Sequence, residues 1–188
     1  MASTADFRNG LVLDIDGQLW TITYFQHVKP GKGGAFVRTK LKNVLTGAVV
    51  DKTYRSGEKV TTVRLERRPV NYSYTDGELY HFMDAQTFEM IPLSADVIGA
   101  DQLKYLKENM ECEGLVHNER VISVDLPQFV ELQVAETDPG VRGDTAQGGT
   151  KPARLETGAT VNVPLFVEEG DVIRVDRTED KYLTRVTG

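Results

Sequence analysis

Leu11-Val12-Leu13-Asp14-Ile15-Asp16-Gly17-Gln18-Leu19-Trp20-Thr21-Ile22-Thr23-Tyr24-Phe25 sets two runs of aliphatic, β-branched and aromatic residues on either side of an Asp-Gly pair. Asp-Gly accepts the left-handed backbone of a two-residue hairpin turn, so residues 11–15 and 19–25 read as a strand and its return. Beyond a glycine-rich stretch, Ala35, Val37, Thr39 and Leu41 alternate with Phe36, Arg38, Lys40 and Lys42. A strand's period of two puts the three cations on one face. Thr46-Gly47 and Ser56-Gly57 supply further turns, and residues 1–64 are expected to form a five-stranded barrel of SH3 size.

The same grammar runs on. The charge sign changes near residues 66–69 and Pro69 interrupts the pattern, which marks a boundary with a second barrel starting at Val70. Residues 72–74 and 79–83 flank Thr75-Asp76-Gly77-Glu78, and residues 110–116 and 121–126 flank His117-Asn118-Glu119-Arg120. Residues 100–109 are the one good helix signal, with Leu103, Leu106 and Met110 on one face and Asp101 as the expected cap. After Pro127, Val130, Leu132 and Val134 alternate, a long loop spans 137–151, and a pair of strands covers 159–167 and 172–176. The economical reading is all-β: a small barrel and two successive five-stranded barrels of OB size. No fixed-period repeat is visible, so any duplication is architectural.

Composition sets limits. Of 188 residues, 40% are apolar and 27% charged, which is enough apolar surface for real cores. Apolar runs fall far short of the roughly 20 residues that cross a bilayer, and the N-terminus lacks the basic-then-apolar order of a secretory signal, so a cytoplasmic protein without a membrane partner is expected. The lone Cys112 excludes an internal disulfide and is expected to be a structural thiol. The net charge of -6 conceals a division: residues 1–64 hold ten Lys/Arg against five Asp/Glu, and residues 65–188 twelve against twenty-three. No acidic residue lies between Asp16 and Asp51, where Lys29, Lys32, Arg38, Lys40 and Lys42 stand, so an anionic partner is sought there.

Catalytic chemistry finds no candidate. Histidines 27, 81 and 117 lack the spacing of a metal site, no Gly-x-Ser-x-Gly elbow occurs, and the abundant carboxylates are scattered over turns and strand edges. Arg142-Gly143-Asp144 spells an adhesion tripeptide, which has no meaning without secretion. Lys29-Pro30-Gly31-Lys32-Gly33-Gly34-Ala35-Phe36 is the sharpest local feature. It fits neither a phosphate loop, which needs Ser/Thr after the lysine where Gly33 stands, nor a dinucleotide fingerprint, whose last glycine is replaced by Phe36. Two readings remain: a hairpin loop with a merely solvated lysine, or a narrow tip that presents Lys32 while the cationic strand face grips phosphates.

Residues 25–33, Phe-Gln-His-Val-Lys-Pro-Gly-Lys-Gly, and 35–43, Ala-Phe-Val-Arg-Thr-Lys-Leu-Lys-Asn, closely resemble the first domain of bacterial translation elongation factor P. Phe82-Met83-Asp84 with Thr87-Phe88-Glu89 resembles its second domain. Thr137-Asp138-Pro139-Gly140, Gly143-Asp144-Thr145 and Gly148-Gly149-Thr150-Lys151-Pro152-Ala153 resemble its third, and residues 161–167 and 170–176 its signature. The resemblance covers essentially the whole chain. It departs at Gly34, often proline, glutamine or alanine in relatives, and at residues 177–181, which lack the usual turn before Tyr182.

The resemblance implies an L-shaped arrangement of an SH3-like, KOW-like domain over 1–65 and OB-fold domains over 66–127 and 128–188. It implies a non-enzymatic factor without cofactor, monomeric, binding the ribosome between the P and E sites and relieving stalling at consecutive prolines. Lys32, in a tip loop of Lys29, Pro30, Gly31, Gly33 and Gly34, would reach the peptidyl-transferase centre beside P-site peptidyl-tRNA, and a lysine-modifying enzyme would be a further partner. Arg38, Lys40 and Lys42 would meet RNA backbone, Gly143, Asp144 and Thr145 the mRNA codon at the E site, and Tyr182 and Arg185 ribosome or tRNA. Three rivals remain: a general single-strand-binding protein on two OB barrels, a hydrolase or transferase on the same barrels, and a divergent paralogue with another ribosomal task. The first wants cationic grooves with stacking aromatics, whereas residues 65–188 carry a net -11.

Overall fold

The computed structural model describes residues 1–140 and 149–186. Three antiparallel sheets follow one another along the chain. The first holds β1 (Ala2–Ser3), β2 (Val12–Ile15), β3 (Gln18–Val28), β4 (Phe36–Asn43), β5 (Val49–Arg55) and β6 (Lys59–Val63) in the order β1-β6-β2-β3-β4-β5. It has six strands where five were expected, because Ala2–Ser3 pairs with β6. Asp16 and Gly17 both adopt positive φ, 53° and 82°, as a two-residue primed turn requires. The sheet wraps a core of Leu13, Ile22, Val37 and Leu41, with Phe7 set edge-on to Tyr54 at 5.3 Å.

The second sheet holds β7 (Glu66–Thr75), β8 (Leu79–Asp84), β9 (Met90–Ser94), β10 (Glu111–His117) and β11 (Arg120–Asp125), ordered β11-β10-β7-β8-β9. β7 runs straight through Pro69, so the barrel begins before Val70. The missing N–H is tolerated because pairing with β8 starts only at Val70↔Asp84. Asp84, the buried last residue of β8, braces the turn that follows: its carboxylate accepts from the Gln86 and Thr87 N–H groups and from Arg68 at 3.0 Å. Of the helix expected over 100–109 only one turn forms, α2 (Ala100–Leu103); another single turn, α1 (Ala95–Ile98), precedes it and is separated from it by Gly99 with φ of 93°. Ser94 caps α1 through the Val97 N–H, while α2 has no side-chain cap, so the capping role expected of Asp101 is absent there. Past Leu103 the chain tightens into i→i−3 bonds, which turn Tyr105 fully into the core.

The third sheet holds β12 (Phe129–Thr137), β13 (Thr150–Leu155), β14 (Thr160–Pro164), β15 (Val172–Asp176) and β16 (Lys181–Arg185), ordered β14-β13-β12-β15-β16. By position along each barrel this is the strand order of the second sheet, which is the OB arrangement used twice. The pairing expected between 159–167 and 172–176 does not form: β14 pairs with β13, β15 with β12 and β16, since that order sets two strands between them. Val130, Leu132 and Val134 point inward as their alternation requires.

The two OB barrels share one continuous core running from Val70, Phe82 and Tyr105 to Leu132, Val163 and Ile173. Arg177 fastens them further, donating to the Leu126 and Pro127 carbonyls at 2.6 Å each. Cys112 lies in this core, and burial pushes its thiol up to about 12. The contact of the first barrel with the second is smaller: Val12, Leu19 and Val44 pack with Val63, Leu65 and Ile122.

Candidate functional site

The β3–β4 hairpin is long because eight strand pairs hold it, from Trp20↔Asn43 to Val28↔Phe36. Inside its far end Phe25 meets His27 edge-on at 5.8 Å and packs against the barrel core, which stiffens the stem. Residues 29–34 then form an exposed tip. Gly33 takes φ of 98°, a conformation that side chains seldom adopt, and a Cβ built on Gly31, Gly33 or Gly34 would meet nothing within 4 Å. These glycines make the tip thin without being packed against anything. Lys32 is exposed at its centre, and no hydrogen bond or ion pair among the described residues engages it.

On the outer face of the hairpin, Arg38 and Lys40 are exposed, with Val37, Thr39 and Leu41 buried behind them. Cross-strand register adds neighbours that alternation along one strand does not reveal. Tyr24 and Asp51 flank Lys40, Gln26 and Thr53 flank Arg38, and Arg55 stands opposite Phe36. The Arg38 guanidinium lies 5.4 Å from the centre of the Phe36 ring. This face therefore combines cations with the half-exposed ring of Tyr24, a surface suited to a polyanion with stacking bases. Lys42 shares the face by period but not by contact: its Nζ donates to the Ile98 carbonyl of the second barrel at 3.3 Å.

In the third barrel Tyr182 packs against the shared core, and Arg185 is exposed with its guanidinium 5.0 Å from the Phe166 ring and 3.7 Å from Asp171. Gly143, Asp144 and Thr145 lie outside the described residues. Among the described residues no group of three or more His, Cys, Asp or Glu is placed to hold a metal ion, and no helix is long and apolar enough to cross a membrane.

Three family profiles match in succession: the elongation factor P KOW-like domain over residues 3–60, the elongation factor P OB domain over 65–124, and the elongation factor P C-terminal domain over 130–185. Elongation factor P of Rhodococcus erythropolis is 56% identical over 186 residues, spanning 99% of both chains. The chain belongs to the elongation factor P family. Elongation factor P of Caldicellulosiruptor saccharolyticus is 53% identical over 186 residues, 99% of this chain and all of that one. Among solved structures, translation initiation factor 5A from Methanococcus jannaschii aligns over 67% of this chain and 90% of its own, with 23% identity and a TM-score of 0.45. Elongation factor P relatives thus span 99% of this chain.

Proposed function

We propose that this translation factor binds the ribosome between the P and E sites, contacts P-site tRNA and stimulates peptide-bond formation, relieving stalling at consecutive prolines. The observation that carries the reading is Lys32, exposed and without a hydrogen bond or ion pair among the described residues, at the end of a stiff hairpin whose outer face carries Arg38 and Lys40. A thin cationic probe on a braced stem can enter an RNA-built cavity without carrying catalytic groups of its own. Proline is a poor nucleophile and constrains the nascent chain, so the slow step is one of placement. Holding the P-site substrate in a near-attack geometry supplies several kcal/mol through orientation alone. No protein nucleophile, cofactor or metal is then needed, and the factor is non-enzymatic.

The charge division serves specificity. A net +5 over residues 1–64 draws the tip to RNA, while the net -11 of residues 65–188 keeps the OB pair from binding phosphate indiscriminately. In this reading the units are 1–65, 66–127 and 128–188, the protein acts as a cytoplasmic monomer, Gly143, Asp144 and Thr145 meet the mRNA codon at the E site, and Tyr182 and Arg185 meet ribosome or tRNA. Lys32 is also the place where a lysine-modifying enzyme would act. The test is the rate of Pro-Pro bond formation on stalled ribosomes with and without saturating protein. Acceleration on proline templates, and little on a template without them, is expected; equal rates with and without the protein sink the reading.

A further inference from the structure

The turn that follows β4 is docked on the helical connection of the second barrel more closely than any residue with a side chain would allow. Gly47, at φ of 76°, sits where a Cβ would lie 2.0 Å from the Asp96 carbonyl oxygen and 3.0 Å from the Val97 nitrogen. On the other side Gly99 is met by side-chain ends and not by backbone: a Cβ there would lie 2.9 Å from Lys42 Nζ, across the contact, and 2.7 Å from Asp101 Oδ1 of its own barrel. Between the two glycines Lys42 Nζ donates to the Ile98 carbonyl. The turn itself is braced, since Asn43, a buried side chain, accepts from the Leu45 and Thr46 N–H groups, and the Gly47 N–H returns to the Asn43 carbonyl. Beside this contact runs an open cleft of about 1410 Å³ lined by Thr21, Lys42, Arg64, Arg67 and Asp101, so much of the space between the barrels is unfilled.

β4 connects this contact to the tip. Its C-terminal end carries Lys42 and Asn43, and its N-terminal end at Phe36 opens into the loop of Lys32. Eight residues of strand span about 26 Å at about 3.3 Å each, so a rotation of about 5° at one end moves the other by about 2 Å. Displacements of that order decide the rate of a reaction governed by placement, where about 1 Å can cost about a hundredfold.

We propose that Gly47, Gly99 and Lys42 form a positioning joint that sets where Lys32 stands relative to the OB pair, with β4 as the lever. Lys42 belongs to this joint and is not an RNA contact. The inference rests on the proposed function for its consequence in rate, but not for its geometry.

The test uses the full-length protein with nitroxide labels at Arg55→Cys, near the tip end of the first barrel, and Ser73→Cys, on the exposed face of the second; Cys112 is buried and stays unlabelled. Gly47→Ala should shift or broaden the distance distribution by about 2 Å or more at the tip end. Lys42→Met keeps the aliphatic stem and loses the amine, and should move the same distance by less. Gly57→Ala is the control, because Gly57 has φ of 84° and nothing within 4 Å, so it carries the backbone strain without an interdomain neighbour. At saturating protein, unlabelled Gly47→Ala should slow Pro-Pro bond formation about tenfold or more, with Gly57→Ala near wild type. A wild-type distance distribution in both Gly47→Ala and Lys42→Met, or an equal shift in Gly57→Ala, overturns the joint. Shifted distances with an undiminished rate overturn its positioning role. Should wild-type protein itself fail to accelerate the reaction, the proposed function falls, and the distances still decide the joint.

Discussion

Tyr105 of the second barrel donates its hydroxyl to Asp180 Oδ1 of the third at 2.6 Å, and Lys104 Nζ reaches the same oxygen at 2.9 Å. Burial drives the Tyr105 hydroxyl well above its ordinary range, and the neighbouring carboxylate adds to this. Asp180 moves the opposite way: burial opposes its ionisation, but the hydrogen bonds from Lys104 and Tyr105 outweigh it. A polar clamp thus sits at the edge of the apolar core shared by the OB pair. Tyr105→Phe keeps the ring and removes the donor, leaving a half-exposed carboxylate that water and Lys104 can satisfy. It should lower the unfolding free energy by about 1 kcal/mol in urea, with the slope unchanged. An unaltered midpoint would show that solvent replaces the tyrosine at no cost.

Because one core runs through both OB barrels, the second and third should unfold together. Phe82→Ala, in the middle barrel and fully buried, should cost about 3–5 kcal/mol and lower the transition of the third barrel by as much. Fluorescence of Trp20, the sole tryptophan, reports the first barrel separately and should move far less. A third barrel that kept its wild-type midpoint in this variant would mean that the shared core is not cooperative.

The hairpins were legible because their chemistry is local. Asp16-Gly17 needs nothing beyond its own two residues to specify a primed turn, and the alternation of Val37, Thr39 and Leu41 fixes which face of β4 is buried. The helix expected over 100–109 stops after Leu103 because its fate is tertiary: the chain tightens into i→i−3 bonds, and Tyr105 is buried with its hydroxyl on an acceptor 75 residues away. Lys42 shows the same limit, since period two gives its face correctly but its acceptor, Ile98, lies 56 residues on in another barrel. Thr46-Gly47 read as a turn, and nothing in the sequence reveals that the glycine also touches Asp96.

Asp84 gives an acid-sensitive contribution to the middle barrel. Burial raises its carboxyl, but hydrogen bonds from the Gln86 N–H, the Arg68 guanidinium and the Thr87 N–H together hold it below its ordinary value. A depressed folded value means stability that is complete above the unfolded value near 3.9 and lost as pH falls through the folded one. Asp84→Asn should cost about 2 kcal/mol at pH 7, since an amide presents a donor to Arg68, and should flatten the decline in stability below about pH 4. An equally steep acid limb in the variant would assign that limb to other carboxylates.

Ribosome affinity should fall steeply with salt, and the first barrel should account for most of the slope. Neutral replacements of Arg38 and Lys40, both exposed, should each reduce the log-affinity against log-salt slope by somewhat less than about one unit. Lys42→Met should lower the slope by less than either, because its amine is half-buried against the Ile98 carbonyl of the second barrel. A slope lowered as much by Lys42→Met as by either of the others would return Lys42 to the RNA-binding face.

Lys32 separates grip from action. It is exposed and no hydrogen bond or ion pair among the described residues engages it, so Lys32→Ala should change the thermal midpoint only within the small range of surface substitutions. One contact among many contributes about 1–3 kcal/mol to an RNA complex, so much of the affinity held by Arg38, Lys40 and the OB pair should survive. The action should not survive. With saturating protein on ribosomes stalled before a Pro-Pro bond, affinity no longer limits the rate, and the variant should give little of the wild-type acceleration. Lys32→Arg keeps the charge but carries a wider, planar head on a narrow glycine tip, and should recover only part of the effect. If Lys32→Ala accelerates the bond as well as wild type under these conditions, Lys32 is a solvated loop residue, and the acting element lies elsewhere on the hairpin.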